Sequence, residues 1–198
     1  MPLTVPANLD EIGPEWMTAA LAQHHPEAVV DQVSVELRDD GTNRRARLGL
    51  TYTTGEGPAT VFVKAADPAH KDLIRMTSGM FHEPRLFSSG VQLPLEHPLV
   101  YAAIADEDAY DFCLVMEDLS ARGADPRDSL RPLSVEQAAT GMRALGRLHG
   151  RFWASASWAI PSWAGSNRSW RSTVCSTRRC PRRWNASTPT KPRARCWN

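Results

Sequence analysis

Apolar residues near the N-terminus recur with helical spacing. Pro14 suits the first turn of a helix, and four apolar side chains then fall on one helical face: Trp16, Met17, Ala20 and Leu21. The run His24-His25-Pro26 stops the pattern. Residues 1–30 are therefore predicted to form an N-terminal helical segment.

A period-two pattern follows, which is typical of β-strands. Apolar residues alternate with polar ones on both sides of the polar segment 39–43: Val33, Val35 and Leu37 before it, and Leu48, Leu50 and Tyr52 after it. This pattern predicts a β-hairpin with a Gly-containing turn. Residues 60–64 predict a third strand, in which Lys64 shares a face with Phe62 and Thr60.

The next part of the chain predicts two more strands and further helices. Residues 71–89 are expected to be helical in two pieces, because Pro84 is tolerated only in a first turn. Segments 99–104 and 112–116 are apolar runs typical of buried strands. Ser134 and Gln137 form a capping box for a last helix, ending near Trp153, whose apolar positions are Ala138, Met142, Leu145, Leu148 and Phe152. The predicted class is α+β, with five antiparallel strands and a helix after the third.

Composition narrows the protein class. The 198 residues are 42% hydrophobic and 23% charged with a net charge of +1, which describes a globular domain. No apolar run approaches the roughly eighteen residues of a membrane span, and the first 20 residues lack the apolar core of a signal peptide. We therefore expect a cytoplasmic protein without a membrane partner. Four cysteines without paired spacing predict neither a disulfide framework nor a zinc site.

Charge divides the chain sharply. All 22 acidic residues lie between Asp10 and Glu136, whereas residues 165–198 carry nine Lys and Arg and no acid. A segment so rich in Arg, Ser, Thr and Pro buries too little apolar area to offset chain entropy. Residues 165–198 are therefore predicted to be a disordered basic tail.

Five segments together resemble a known family. They are Gly41–Arg44, Phe62–Lys64, Met80–Phe87, Leu114–Ser120 and Leu145–Trp153. In order and spacing they are similar to the aminoglycoside-phosphotransferase and ecdysteroid-kinase-like (CHK kinase-like) small-molecule kinases, over roughly residues 30–153. The resemblance implies a protein-kinase-like N-lobe at 31–120, a linker and the first C-lobe helix at 121–164, and then the tail.

The resemblance implies a role for the lysine that ends the third strand. Lys64 would reach the α- and β-phosphates of ATP bound with Mg²⁺, and Glu83 would hold it by an ion pair. A solvent-exposed strand lysine and a solvated helix-end carboxylate remain the alternatives. Backbone N–H groups of Gly41, Thr42 and Asn43 would cover the phosphates, although an ordinary hairpin turn explains the same residues.

The base site implied by the resemblance lies beside this lysine. Phe62 would stack on adenine or narrow its pocket. Main-chain groups near Met116, Glu117 and Asp118 would bond the adenine edge, and the alternative is an exposed turn after a strand. The arginines at 44, 45 and 47 would strengthen anion binding or are solvated strand residues. His149 is expected to be a packed or inter-lobe histidine and not a catalytic one.

The family's reaction is phosphorylation of a hydroxyl group on a small molecule. Phosphoryl transfer needs carboxylates that hold Mg²⁺ and orient the nucleophile, yet no Asp or Glu follows Glu136. No catalytic or metal-binding residue is therefore assigned, and we expect a nucleotide-binding remnant, truncated or frame-shifted after about residue 155. A kinase-like motif in another reading frame of the encoding DNA tests that hypothesis. The exposed lobe interface, including Phe152 and Trp153, predicts self-association.

The alternative function is nucleic-acid binding through the tail. Its nine cations are interleaved with Trp170, Trp184 and Trp197, which combines phosphate neutralisation with base stacking. The acidic folded part and the irregular order of these residues argue against this function. A steep salt dependence of binding distinguishes it from the kinase-like interpretation.

Overall fold

The chain folds as an α+β protein around a five-stranded antiparallel sheet. A computed structural model describes residues 3–39, 41–77, 81–125 and 130–153. The strands are β1 (Val29–Arg38), β2 (Asn43–Thr54), β3 (Thr60–Ala66), β4 (Val100–Asp106) and β5 (Asp111–Glu117). Their order across the sheet is β1-β2-β3-β5-β4. The helices are α1 (Pro14–Leu21), α2 (Lys71–Thr77), α3 (His82–Ser88) and α4 (Val135–Phe152), with 3-10 turns at Leu9–Glu11 and Pro68–His70.

One face of the sheet, here called the closed face, is covered by the N-terminal segment. On β3 it consists of Val61, Val63 and Ala65, all of which are buried. Helix α1 packs Met17 and Leu21 into the same core. Successive residues of a strand point to opposite faces of the sheet, so the apolar residues of the period-two pattern lie on this closed face. The predicted helix and β-hairpin are therefore confirmed, and they share one core.

The opposite face, here called the open face, is only partly covered. Helix α3 and the residue before it pack Phe87 and Phe81 against β4 and β5, where Phe112 and Leu114 are buried. Over β2 and β3 the open face consists of half-buried polar and aromatic residues. On β2 and β3, apolar buried residues on the closed face thus alternate with polar and aromatic residues on the open face.

A β-bulge in β1 changes the face of the sheet on which Leu37 lies. The alternation of Val33, Val35 and Leu37 predicts that all three lie on one side. In the structure Val35 pairs with Leu48, but the next pairing joins Leu37 to Arg47, with a register shift in between. Because the bulge adds one residue to β1, Leu37 moves to the open face, where it is 47% exposed. Placing Leu37 with the core residues is therefore wrong.

The two-piece helical prediction for residues 71–89 is confirmed. Helix α3 begins at His82, so Pro84 lies in the first turn, where its missing N–H removes no helical hydrogen bond. Ion pairs fix both helices to the turn and strand beyond: Lys71 Nζ lies 2.8 Å from Asp111 Oδ2, and Arg85 Nη2 lies 2.7 Å from Glu107 Oε1. Glu83 consequently lies in the first turn of a well-anchored helix.

Helix α4 has the predicted capping box. Ser134 Oγ accepts from Gln137 N at 3.1 Å, and Gln137 Oε1 accepts from Ser134 N at 2.9 Å. None of its 18 residues is buried, and Met142 is 65% exposed. In the part of the chain that the structure describes, no helix combines the length and apolar character needed to cross a membrane.

Candidate functional site

A cleft of about 710 Å³ opens on the open face of the sheet. It lies between the end of the β1–β2 hairpin and the segment after β5. Its lining consists of Leu37, Asp39, Arg45, Arg47, Phe62, Pro98, Met116, Glu117, Asp118, Leu119 and Ser120. The structure therefore brings together six of the residues that the sequence singled out. They are Arg45 and Arg47 of β2, Phe62 of β3, Met116 and Glu117 at the end of β5, and Asp118 directly after it.

Residues in register across neighbouring strands form the floor of the cleft. Leu37 pairs with Arg47, Arg47 with Phe62, and Phe62 with Met116. Directly opposite residues on a sheet share a face, so these four side chains form one row. The row is apolar except for one guanidinium. The sequence indicates Arg47 only as one of three arginines that either strengthen anion binding or are solvated. It does not indicate Leu37, because the bulge in β1 that aligns Leu37 with Arg47 has no clear local signature.

The neighbouring row carries the positive charge. Arg45 pairs directly with Lys64, and both lie on the face of Phe62, one row away from it. Two residues along a strand span roughly 7 Å. Lys64 Nζ forms an ion pair and hydrogen bond with Glu83 Oε2, and Arg45 Nη2 lies 3.0 Å from Asp39 Oδ2. Two carboxylates thus offset two like charges that face each other across the strands.

The ion pair between Lys64 and Glu83 is the contact that the family resemblance implies. It connects the end of β3 to the first turn of α3, and Lys64 is 22% exposed. Lys64 is therefore not freely solvated, and Glu83 is paired with it although the Glu83 side chain is 51% exposed. Lys64 is absent from the lining of the cleft and lies beside it, toward α3.

Asp118 is buried, with 5% of its surface exposed, which corrects the alternative of an exposed turn. Its Oδ2 accepts from Thr60 Oγ1 at 2.9 Å and lies 2.9 Å from Arg47 Nε, while Oδ1 accepts from Ser120 N at 3.0 Å. The Arg47 N–H is close but not aligned for a hydrogen bond. The carboxylate therefore fixes the chain direction after β5 by joining it to β2 and β3.

The two residues beside Asp118 differ in their free hydrogen-bonding groups. Glu117 N donates to Leu99 O at 2.8 Å, and Glu117 Oε2 accepts from Leu99 N at 3.1 Å. The main-chain N–H of Glu117 is thus engaged with Leu99 and is not free to bond an adenine edge. Leu119 N–H lies at the cleft, and it has no hydrogen-bond partner among the described residues. The sequence signal for this donor was the position just beyond a buried strand.

The β1–β2 turn is closed by its own hydrogen bonds. Gly41 N donates to Asn43 O at 3.1 Å, and Asp39 N donates to Arg45 O at 3.0 Å. Asn43 is already in β2 opposite Ala66, and Thr42 is exposed. The Gly41 N–H is therefore not offered to phosphate as expected, and the ordinary-turn alternative accounts for it.

The three neighbouring arginines have separate roles. Arg44 Nε donates to Ala66 O at 2.9 Å and Arg44 Nη2 to Ala7 O at 3.2 Å, which ties the N-terminal segment to the sheet. Arg45 and Arg47 line the cleft. Of the predicted anion-binding group, only these two face the site.

Two other candidate groups are outside the site. Burial raises the pKa of the Cys113 thiol to about 12, so a thiolate nucleophile is not available on β5. His149 is exposed on α4, so it is not packed against the other described residues. Among the described residues no group of three His, Cys, Asp or Glu is arranged to hold a metal ion. The predicted basic tail and its cysteines lie outside the described residues.

Comparisons with known proteins do not identify a family for this chain. No family model matches the chain. Comparison with curated proteins and with solved structures gives no match either. A function is therefore argued from the residues of the cleft and from the sequence motifs.

Proposed function

We propose that the open-face cleft binds a purine nucleotide and that residues 31–120 are a kinase-like N-lobe. The observation that carries the proposal is the ion pair of Lys64 with Glu83, one row away from an aromatic cleft. Helix α3, which supplies Glu83, follows β3 and precedes β4. This is the arrangement that the family resemblance implies for the lysine that meets the nucleotide phosphates.

The cleft suits a planar heteroaromatic ring. Its volume of about 710 Å³ is within the usual range for small-molecule sites. Phe62 offers an aromatic face, Leu37 and Met116 add apolar surface, and Leu119 N–H offers a hydrogen bond to a ring edge. Stacking of a base on an aromatic side chain contributes about 1–3 kcal/mol where it has been measured by alanine substitution. Phe62 is therefore the base-contacting residue in this proposal.

The phosphates extend from the base toward the row of Arg45 and Lys64. Glu83 holds the ammonium of Lys64 at the first turn of α3. A phosphate group brings more negative charge than one carboxylate, so Lys64 can contact phosphate while retaining Glu83. Lys64 is thus the phosphate-contacting residue and Glu83 its positioning residue.

The proposal is binding and not phosphoryl transfer by this chain. Among the described residues no group of three His, Cys, Asp or Glu is arranged to hold a metal ion, and no Asp or Glu follows Glu136 in the sequence. The proposed ligand is the Mg²⁺ complex of the nucleotide, Mg·ATP or Mg·GTP, and no catalytic step is derived for it. A small-molecule hydroxyl acceptor belongs to the family resemblance and has no assigned residue here.

Thermal unfolding of the full chain, with and without Mg·ATP and Mg·GTP, tests the proposal. A ligand at about 100 times its Kd stabilises the folded state by about 2.7 kcal/mol, which raises Tm by several degrees. We expect that Lys64→Ala removes most of this shift. Lys71→Ala is the matched control, because Lys71 is also ion-paired and is 25% exposed, but it contacts Asp111 away from the cleft. No shift with either nucleotide, or an equal loss in both variants, contradicts the proposal.

A further inference from the structure

The hydrogen-bond acceptors of Asp118 and Leu119, at the inner end of the cleft, are occupied. Both carboxylate oxygens of Asp118 have partners, from Ser120 on one side and from Thr60 and Arg47 on the other. The carbonyl oxygen of Asp118 accepts from Ala121 N at 3.0 Å, and that of Leu119 accepts from the N–H groups of Arg122 and Ala124. A ligand N–H or NH₂ group that reaches this end meets oxygens that are already bonded.

The donors at the same end are free. Leu119 N–H has no partner among the described residues, and no side-chain nitrogen of Arg47 makes an aligned hydrogen bond within them. The ion pair of Arg47 with Asp118 is made through Nε. Its planar guanidinium also carries two NH₂ groups, and its side chain is 30% exposed at the cleft. Among Asp118, Leu119 and Arg47, the side-chain and main-chain groups with free hydrogen-bonding capacity at the cleft are therefore donors.

The position of Arg47 determines which part of a ligand its guanidinium donors would meet. Arg47 is directly opposite Phe62 across β2 and β3, and the ion pair with Asp118 holds its guanidinium at the segment after β5. A ring stacked on Phe62 therefore has the guanidinium at its edge and not over a distant phosphate. A held guanidinium is well suited to bond two adjacent acceptors, because its N–H groups form a fixed fork.

We propose that the cleft selects a 6-oxopurine, as in guanine and hypoxanthine nucleotides, over adenine. The O6 and N7 atoms of such a base are adjacent acceptors, which is the pair that an arginine fork bonds in guanine. Adenine has the donor N6–H₂ in place of the acceptor O6. Its amino group would therefore face the N–H donors of Arg47, with which it forms no hydrogen bond. Arg47 is the residue that determines base specificity. This inference rests on nucleotide binding at the cleft as proposed above.

Calorimetric titration of the unmodified full chain tests the selection without any substitution. The probes are Mg·GTP, Mg·ATP and Mg·ITP, because inosine triphosphate keeps O6 and N7 but lacks the 2-amino group of guanine. We expect GTP and ITP to bind with similar Kd values and ATP to bind roughly tenfold more weakly. Equal or tighter binding of ATP overturns the selection while nucleotide binding stands. Binding of none of the three overturns both.

Two further probes connect the selection to Arg47. The 7-deaza analogue of GTP lacks the N7 acceptor, so we expect it to bind several-fold more weakly than GTP. Arg47→Lys keeps the positive charge beside Asp118 but loses the fork, so we expect GTP and ATP to bind this variant with similar Kd values. Urea unfolding checks that the variant is folded. A GTP preference that survives in folded Arg47→Lys, or GTP binding much tighter than ITP, overturns the assignment to Arg47.

Discussion

The closed and open faces of the sheet are made from alternate residues of the same strands, yet they differ in what holds them together. On β3 the closed face has Val61 and Val63, both without exposed surface, and the open face has Phe62 and Lys64, both half-buried. Apolar burial stabilises the closed face at about 25 cal/mol per Å². Ion pairs and a cleft occupy the open face. Strand alternation therefore places core residues and cleft residues at neighbouring positions of one strand.

The open face keeps its charges balanced in pairs. Arg45 with Asp39 and Lys64 with Glu83 are partly solvated pairs, and such pairs contribute at most about 1 kcal/mol each. Arg47 with Asp118 is different because the carboxylate is buried. We therefore expect substitutions on the two faces to lower the free energy of unfolding by different amounts. The same holds for the solvated and the buried ion pairs.

The largest expected effect is a truncation on the closed face. Leu48→Ala removes a side chain that has no exposed surface, so we expect a loss of about 2–5 kcal/mol in the free energy of unfolding. The matched control is Leu37→Ala, the same chemical change on the open face, where the loss should be below about 1 kcal/mol. Urea unfolding measures both. Equal losses for the two leucines contradict the separation of the faces.

The second expected effect concerns the buried carboxylate. Asp118→Ala leaves the Arg47 guanidinium and the Thr60 hydroxyl without their acceptor, so we expect a loss of about 2 kcal/mol. Glu83→Ala is the control, since it removes an exposed carboxylate from the same face and should cost less than about 1 kcal/mol. The comparison fails if Asp118→Ala is as mild as Glu83→Ala in urea unfolding.

The smallest expected effect is a pH dependence on the closed-face side. Burial, with a smaller contribution from Tyr101, raises the pKa of Tyr52 from 10.0 to about 12, and its hydroxyl donates to Pro58 O at 2.7 Å. The unfolded chain then loses this proton first as the pH rises. The stabilisation from Tyr52 is complete below about pH 10 and is lost toward pH 12.

Tyr52→Phe tests this dependence by removing the ionisable group. We expect the variant to lose less stability than the unmodified chain between about pH 9 and about pH 11. Urea unfolding over that range measures the difference. Parallel curves for the two proteins show that the Tyr52 hydroxyl does not titrate as described.

Much of the fold is local in origin, and that part could be predicted. The strands around residues 48–52 and 60–64 follow from alternation, the break before α3 from Pro84, and the start of α4 from the pair Ser134 and Gln137. Each of these features is decided by residues within one turn or one strand. Local pattern and tertiary structure therefore agree there.

The parts that could not be predicted depend on pairing between strands. The face of Leu37 is set by a bulge against β2, and the burial of Asp118 is set by Thr60 and Arg47, which lie 58 and 71 positions earlier in the chain. Alternation alone places Leu37 on the same face as Val33 and Val35. An acidic residue directly after a strand, such as Asp118, is expected to be exposed to solvent. The lysine–glutamate pair was anticipated only through the family resemblance, because residues 19 positions apart on a strand and a helix have no fixed geometry.

The central claim is that a purine nucleotide occupies the open-face cleft and bonds its free donor. Residue-resolved hydrogen exchange of the full chain, with and without a saturating purine nucleotide and Mg²⁺, tests this directly. We predict slower exchange at Leu119 N–H, which has no partner among the described residues, and little change at Glu117 N–H, which already donates to Leu99 O. Nucleotide binding with unchanged exchange at Leu119, or with protection confined to other parts of the chain, would contradict the account.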